Sequence, residues 1–243
     1  MSDEINDIED EDIPEQSPEE ISAEVAMAFT GIYEEEQWKS GRSFSGSGSE
    51  LEQTAHLTQM LISFIRHEKI CSIVDAPCGD MHWQQQLLTN LFLSKVSSYT
   101  GIDIVPELIE ECKIKEPRAN YLLADIIYDK LPACDFLMIR DCLVHLPNEL
   151  VLQAIRNAAS SESKWIGITT FISYHPNQDI ELGDWRPLNL MRAPFDLPAP
   201  KYMLMEHCTE REGRYTDKAL AIWRRKDLEA LNVEKVNIAE SEP

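Results

Sequence analysis

Short apolar runs alternate with helical apolar stripes along most of this chain, and their order predicts its architecture. Val25, Ala28, Phe29, Ile32 and Tyr33 recur at helical spacing and predict a short amphipathic helix. A polar glycine-serine stretch, Lys39 to Ser49, comes next. Ser49 and Glu52 match a capping box opening a helix to about His67, with Leu51, Ala55, Met60, Leu61, Phe64 and Ile65 facing inward. Strands are expected at 71–75, 98–103, 120–124, 135–140 and 165–171, with helices at about 82–93, 106–113 and 147–159. Such alternation implies a doubly wound α/β domain, with a mostly parallel sheet and helices on both faces. After Ser173 an insertion bearing Pro, Trp and Asn runs to Pro200. Two closing strand-like runs, 202–206 and 219–223, are near enough in sequence to pair antiparallel.

Charge divides the chain further. Fourteen acidic residues precede Lys39, the first basic residue, so the remainder carries only about −7 of the net −21. Residues 1–25 are rich in Asp and Glu and poor in aromatics, which predicts a disordered acidic tail. That tail is either a partner-binding arm or a passive one. Residues 26–226 form the expected domain, with 174–200 as its insertion and 227–243 as a C-terminal tail. An acidic chain argues against nucleic-acid binding, which needs a basic face. None of the six cysteines forms a CxxC pair, and no histidine stands at zinc-site spacing from them, so no metal site is expected. With no basic-apolar leader and no run of ~18 apolar residues, the expectation is a cytoplasmic protein without a membrane span.

The chemistry is concentrated at strand ends. In Ser72-Ile-Val-Asp-Ala-Pro-Cys-Gly-Asp80 an apolar run ends in Asp75 and turns through Pro77 and Gly79. Tyr99-Thr-Gly-Ile-Asp-Ile104 repeats the pattern with Asp103, and Asp125 closes the third run. Acidic residues at successive strand C-termini line the crevice where open α/β sheets bind ligands. A carboxylate there suits a ribose, because it accepts from two neighbouring hydroxyls. A dinucleotide would also need G-x-G-x-x-G to seat a pyrophosphate on a helix N-terminus. Here Pro77 holds the first glycine position, Met81 falls near the third, and Asp80 would repel the phosphates. S-adenosylmethionine carries no phosphate, and its sulfonium is attracted by carboxylates, so it is the better match.

At these residues the chain resembles the class I S-adenosylmethionine-dependent methyltransferases. The resemblance rests on Val74-Asp-Ala-Pro-Cys-Gly-Asp80, Gly101-Ile-Asp103, Leu123-Ala-Asp125 and the run Asp135 to Pro147. More narrowly, it is similar to a mostly microbial branch sharing a Ser/Gly stretch like Ser45 to Thr54 and a D-x-P-C-G-D-x-x-W motif like Asp75 to Trp83. That branch also has an R-D-C-L-V-H-L segment and a G-D-W-R-P-L-N-L segment like Gly183 to Leu190. The likeness covers about residues 27 to 226; Pro77 and Met81 depart from the glycines of the wider superfamily. It implies a Rossmann-like seven-stranded sheet whose last strand is antiparallel. It also implies S-adenosyl-L-methionine as cofactor. Pro77, Cys78, Gly79 and Asp80 would pass under its methionine part, with Asp75 beside them. Asp103 would hold the ribose, Ile104 would pack on the adenine, and Asp125 with the Ile126 amide would meet the adenine edge. Arg140 and Asp141 would border the methyl group.

Methyl transfer is an in-line displacement, so an enzyme must mainly align the two reactants and exclude water. A hydroxyl acceptor also needs its proton removed. Asp141 and His145 stand where an acceptor would enter. His145 is a candidate base by its near-neutral pKa, or a histidine merely bonded at a turn; Asp141 is either part of the site or a cap. Asp184, Trp185 and Arg186 of the insertion would suit a small polar or glycan-type acceptor, or Trp185 simply packs on the sheet. Arg42 could pair with the cofactor carboxylate, whereas Tyr33, Trp38 and Trp83 read more readily as core. The expected activity is methylation of an oxygen, less readily a nitrogen. The alternative is a non-catalytic S-adenosylmethionine-binding or interaction protein on the same fold.

Overall fold

A computed structural model of the chain describes residues 16–92, 96–173 and 176–232. Seven strands form one sheet in the order β3-β2-β1-β4-β5-β7-β6. They are β1 (Ser72–Asp75), β2 (Ser98–Asp103), β3 (Asn120–Leu123), β4 (Cys134–Ile139), β5 (Ser163–Phe171), β6 (Tyr202–Met205) and β7 (Lys218–Arg224). Strands β1 to β5 pair in parallel. Strand β7 runs antiparallel between β5 and β6, so the two closing runs pair as expected while β7 takes the inner place. The Rossmann-like sheet is therefore mostly parallel with an antiparallel strand near one edge, and its order reverses at β1, beside β4.

The pleat explains the two cores. Along β4, Phe136 and Met138 join one buried cluster while Leu137 and Ile139 join the other, as alternation across a sheet requires. Helices α2 (Leu51–His67), α3 (Gln84–Phe92) and α4 (Pro106–Lys115) cover the first face through Leu57, Leu61, Phe64, Leu87, Leu88 and Ile109. Helix α5 (Asn148–Ser160) covers the second through Val151, Ala154, Ile155 and Ala158. The insertion belongs to that second core: Leu188, Leu190, Phe195 and Leu197 are all buried in it.

Three boundaries differ from the sequence reading. Helix α1 spans Pro18–Glu34 and so opens well before Ala26. Ser17 accepts from the Glu20 amide while the Glu20 carboxylate accepts from the Ser17 amide, a reciprocal cap that starts the helix inside the acidic stretch. Only residues 1–15 of the expected tail lie outside the described residues. At the other end a helical segment, Arg225–Asn232, continues past 226, and Leu228 is fully buried against the α5 side. Residues 233–243 lie outside the described part. Finally, Ser49 does not cap α2: Glu50 is the N-cap, with no side-chain bond, and the Ser49 hydroxyl turns back to the Ser45 carbonyl at 3.3 Å.

Gly167 lets β5 lie close to its neighbour. A Cβ there would stand 2.9 Å from two carbons of the Phe136 ring. Gly167→Ala is expected to lower stability by about 1–3 kcal/mol through overpacking, and Phe136→Leu should recover part of that in the double variant. Denaturant titration of the three proteins checks both halves.

Candidate active site

The carboxyl ends of β1, β2 and β4 open into a cavity of about 440 Å³. Of the residues expected there, Asp75, Pro77, Cys78, Gly79, Asp103, Ile104, Asp125, Ile126, Arg140, Asp141, His145 and Trp185 all line it. Three do not: Asp80, Asp184 and Arg186.

The β1 turn is shaped by backbone geometry. Gly79 has φ +55°, and a Cβ on it would fall 2.3 Å from the Ser45 hydroxyl, so only glycine fits. Met81 also adopts a left-handed φ of +58°, the conformation glycine usually supplies. Asp80 points away from the cavity into the Ser/Gly loop. It accepts from the Phe44 amide at 2.8 Å and the hydroxyls of Ser43 and Ser45 at 3.4 and 3.3 Å. Its role is to clasp that loop against the β1 turn, which brings Ser45, Gly46, Ser47, Gly48 and Ser49 to the cavity wall. Arg42 is exposed and contributes only its amide, to Glu50 at 3.1 Å.

Three buried carboxylates share the opposite problem of too few donors. Asp103 accepts from the amides of Gly79 (3.0 Å) and Val105 (3.1 Å), yet burial pushes its pKa up to about 6. Asp75 accepts from Tyr99 and, at 3.0 Å, from Gln84, and burial raises it to about 7. Burial also raises Asp125, whose Oδ1 accepts from the Ile127 amide at 2.7 Å. Among the described residues, Asp75 Oδ1, Gln84 Oε1 and Asp125 Oδ2 are buried without any hydrogen-bond partner. The Ser22 hydroxyl lies near Asp125 but outside bonding geometry to that oxygen. All three orphans are acceptors on cavity-lining residues. A bare buried acceptor costs about 1–3 kcal/mol, and a ligand bearing N–H and O–H donors would remove that cost.

At the β4 exit the charges are paired. The Arg140 guanidinium meets Glu206 at 2.7 and 3.2 Å, the Gly48 carbonyl at 2.9 Å and Asp141 at 3.1 Å. Lys218 meets Asp141 at 2.6 Å, Glu206 at 3.5 Å and Glu210 at 3.9 Å. Burial would raise the Asp141 pKa, but Arg140 and Lys218 outweigh it and hold the carboxyl below its usual range. Asp141 sits at φ +52°, its amide donating to Thr169 at 2.9 Å.

His145 is differently placed. Its Nδ1 lies 2.9 Å from the Asp184 carbonyl, an atom that only accepts, so Nδ1 carries the proton and Nε2 keeps its lone pair. The ring stacks on Trp38 at 4.1 Å between centroids. Burial lowers its pKa to about 4, so the ring is neutral at pH 7. Asp184 thus acts through its backbone. Arg186 is buried and donates to the carbonyls of Leu143 (3.0 Å), Leu146 (2.6 Å) and Gln178 (3.1 Å) and to the Asn148 side chain (2.9 Å). It pins the insertion to the β4 exit and has no reach into the cavity.

Sequence reasoning missed the aromatic side of the site. Phe29 and Tyr33 of α1, Trp38, Phe44, Phe171 and Tyr215 line the cavity, and Trp83 both lines it and is buried in the core. The Tyr33 hydroxyl donates to Glu111 at 2.7 Å, tying α1 to α4. The apolar stripe of α1 was visible; that it faces a cavity and not the sheet was not.

Solved structures share the fold. A Burkholderia thailandensis 1,6-didemethyltoxoflavin-N1-methyltransferase, solved with that compound and S-adenosylhomocysteine, matches over 88% of this chain and 92% of its own, at 14% identity and TM-score 0.53. This is the fold of that methyltransferase. Human N-acetylserotonin methyltransferase, solved with S-adenosylmethionine, matches over 86% of this chain and 62% of its own, at 12% identity and TM-score 0.55. The methyltransferase domain of a bacterial Hen1 protein is a looser match at TM-score 0.42 and 14% identity, covering 50% of this chain and 66% of that one. No family model and no curated protein matches the sequence. No helix among the described residues is long and apolar enough to cross a membrane.

Two outcomes follow from this geometry. The His145 ring should titrate near pH 4, as followed by its C–H resonances. Since its folded pKa lies below the unfolded value near 6.5, stability should be full above that pH and fall as pH drops toward 4. A midpoint near 6.5 would mean a solvated ring. Separately, Arg186→Ala should cost about 3 kcal/mol in denaturant titration, by leaving buried carbonyls without donors. Its effect should appear in stability and not as a selective loss of small-molecule affinity.

Proposed function

We propose that this chain is an S-adenosylmethionine-dependent methyltransferase acting on a small molecule. The observation that carries the reading is the set of buried, partnerless acceptors at the ends of β1, α3 and β3, which match the donor groups of that cofactor. Asp103, one oxygen on the Gly79 amide and one on the Val105 amide, keeps lone pairs for the ribose hydroxyls. Asp125 Oδ2 suits the adenine amino group, with Ile104 and Ile126 as apolar packing. Asp75 Oδ1 and Gln84 Oε1 suit the methionine ammonium, and Pro77, Cys78 and Gly79 form the floor. The carboxylates favour a cation, and when bound the sulfonium supplies an activated methyl group. The two fold neighbours above were solved with S-adenosylhomocysteine and S-adenosylmethionine, which supports the same ligand class.

Within this reading the two candidate catalytic residues separate. Asp141 is held ionised between Arg140 and Lys218 and stands as a positioning group at the methyl end. His145 is neutral with a free Nε2 lone pair, so it takes the proton from an acceptor hydroxyl, and the charge on Asp141 favours the imidazolium that results. Oxygen is therefore preferred over nitrogen as the methylated atom. The six cysteines are all free thiols, which fits a reducing, cytoplasmic setting. The acidic tail remains a proposed site for a protein partner.

Calorimetric titration with S-adenosylmethionine tests the assignment. Asp103→Ala should weaken binding by roughly 1.5–3 kcal/mol, the worth of hydrogen bonds to a charged group. In the wild type, affinity should rise from about pH 5.5 to 7.5 as Asp103 and Asp75 ionise, because their pKa values lie at about 6 and about 7. Equal affinity in the variant, or a flat pH profile, would remove these carboxylates from the site. Binding without transfer to any acceptor would favour the non-catalytic alternative.

A further inference from the structure

The acceptor end of the cavity is built from flat rings, and the buried cations beside it are already spent. We infer that the acceptor is a small, neutral aromatic ring compound bearing a hydroxyl group, a substrate class that rests on the methyltransferase reading above.

Trp185, Phe171 and Tyr215 form one aromatic group, with Trp185 and Tyr215 centroids 4.8 Å apart and Phe171 edge-on to Trp185 at 5.9 Å and to Tyr215 at 5.7 Å. Trp38 supplies a second plane, stacked on His145. The two groups line the same cavity, and the carbonyl that fixes the His145 ring belongs to Asp184, next to Trp185 in sequence. A neutral base thus stacks on one ring in a cavity lined by the other three, and such rings favour a planar partner in stacked or edge-on contact.

A sugar or a phosphorylated compound would need free donors and cations instead. Arg140 and Lys218 are neutralised by Asp141, Glu206 and Glu210 inside the protein. Arg186, the insertion's buried cation, is consumed by backbone carbonyls. Asp184 presents its carbonyl, not its carboxylate, to the site. Arg211 does reach the rim, but it lies over Trp185 at 5.3 Å and Tyr215 at 6.0 Å, where it extends the aromatic surface. Size sets the same limit: about 440 Å³ must hold donor and acceptor together, near the lower end of small-molecule sites. A single or fused pair of rings fits that description, and an oligosaccharide does not.

The step is then defined. The ring hydroxyl oxygen forms a bond to the methyl carbon as the carbon–sulfur bond breaks and its electron pair stays on sulfur. The hydroxyl proton passes to Nε2 of His145 and on to solvent, leaving a methyl ether and S-adenosylhomocysteine.

The full chain, saturated with S-adenosylmethionine, is offered two panels: one- and two-ring phenols, and hexoses with sugar nucleotides. S-adenosylhomocysteine and methylated product are read by mass spectrometry, and cofactor affinity is measured on the same samples. Transfer to phenols and not to sugars is expected. Trp185→Ala and Trp38→Ala should each raise KM for the phenol about tenfold, with cofactor affinity little changed, and Trp185→Phe should restore most of the loss. His145→Gln should depress kcat at unchanged KM. Methylation confined to the sugar panel, inactivity toward all phenols despite cofactor binding, or indifference of KM to both tryptophans overturns the acceptor class alone. Failure to bind the cofactor overturns the parent reading and this one with it.

Discussion

Where β4 ends, two buried cations and three carboxylates from distant parts of the chain have to be placed together. Arg140 and Asp141 come from β4, Glu206 from the end of β6, Glu210 from the β6–β7 connection and Lys218 from the start of β7. Arg140 and Glu206 are almost wholly removed from water. Such a cluster gives little net stability over an apolar core, because desolvation offsets attraction, but removing one member leaves an uncompensated charge that costs about 3–5 kcal/mol. Its effect is therefore on geometry. The sheet edge, the strand-four exit and the Ser/Gly loop, through the Gly48 carbonyl and the Ser47–Glu210 contact, are held in one relative position. A Cβ on Gly48 would approach the Asp141 and Glu210 carboxylates at 3.0 and 3.2 Å, so those groups would have to shift by a few tenths of an ångström to admit one.

That arrangement divides one cavity into two electrostatic regimes. At the β1, β2 and β3 exits, carboxylates are buried with fewer donors than lone pairs, and their proton affinities rise. At the β4 exit every carboxylate has a cation, and proton affinity falls. The first regime is poised to receive a cationic, donor-rich molecule; the second is internally settled and offers an acceptor only rings and a neutral imidazole. Preorganisation of this kind avoids rearranging charge at the moment of reaction.

Much of this was legible in the chain. Apolar runs located the seven described strands to within a residue or two; strands buried on both faces need such runs, whereas the edge strand β3 is mostly exposed. The acids after those runs were legible too, since strand C-termini converge on one crevice. Harder to read were side-chain directions after the strands. Asp80, in a motif with Asp75, turned to the serine loop because three donors wait there. Arg186 and Asp184, in a polar-looking segment, serve backbone carbonyls and a histidine, which no periodicity announces. Tyr33 and Trp38 read as core by composition, and only the tertiary placement of α1 over the crevice shows them as cavity wall. Glu206, Glu210 and Lys218 gave no local signal, for charge pairing across the sheet edge depends on strand order.

Helix α1 has one further implication. Among its seventeen residues Val25 alone is fully buried, and its other attachments include the Tyr33–Glu111 bond, the contacts of Phe29 with Trp38 and Tyr33 with Phe44, and the packing of Ile21 and Phe29 on the core. The central strands beneath are packed on both faces by buried side chains. The crevice thus has unequal walls: a sheet packed on both faces beneath, and on one side a helix that gives it Phe29, Ile32 and Tyr33 while burying little of its own surface.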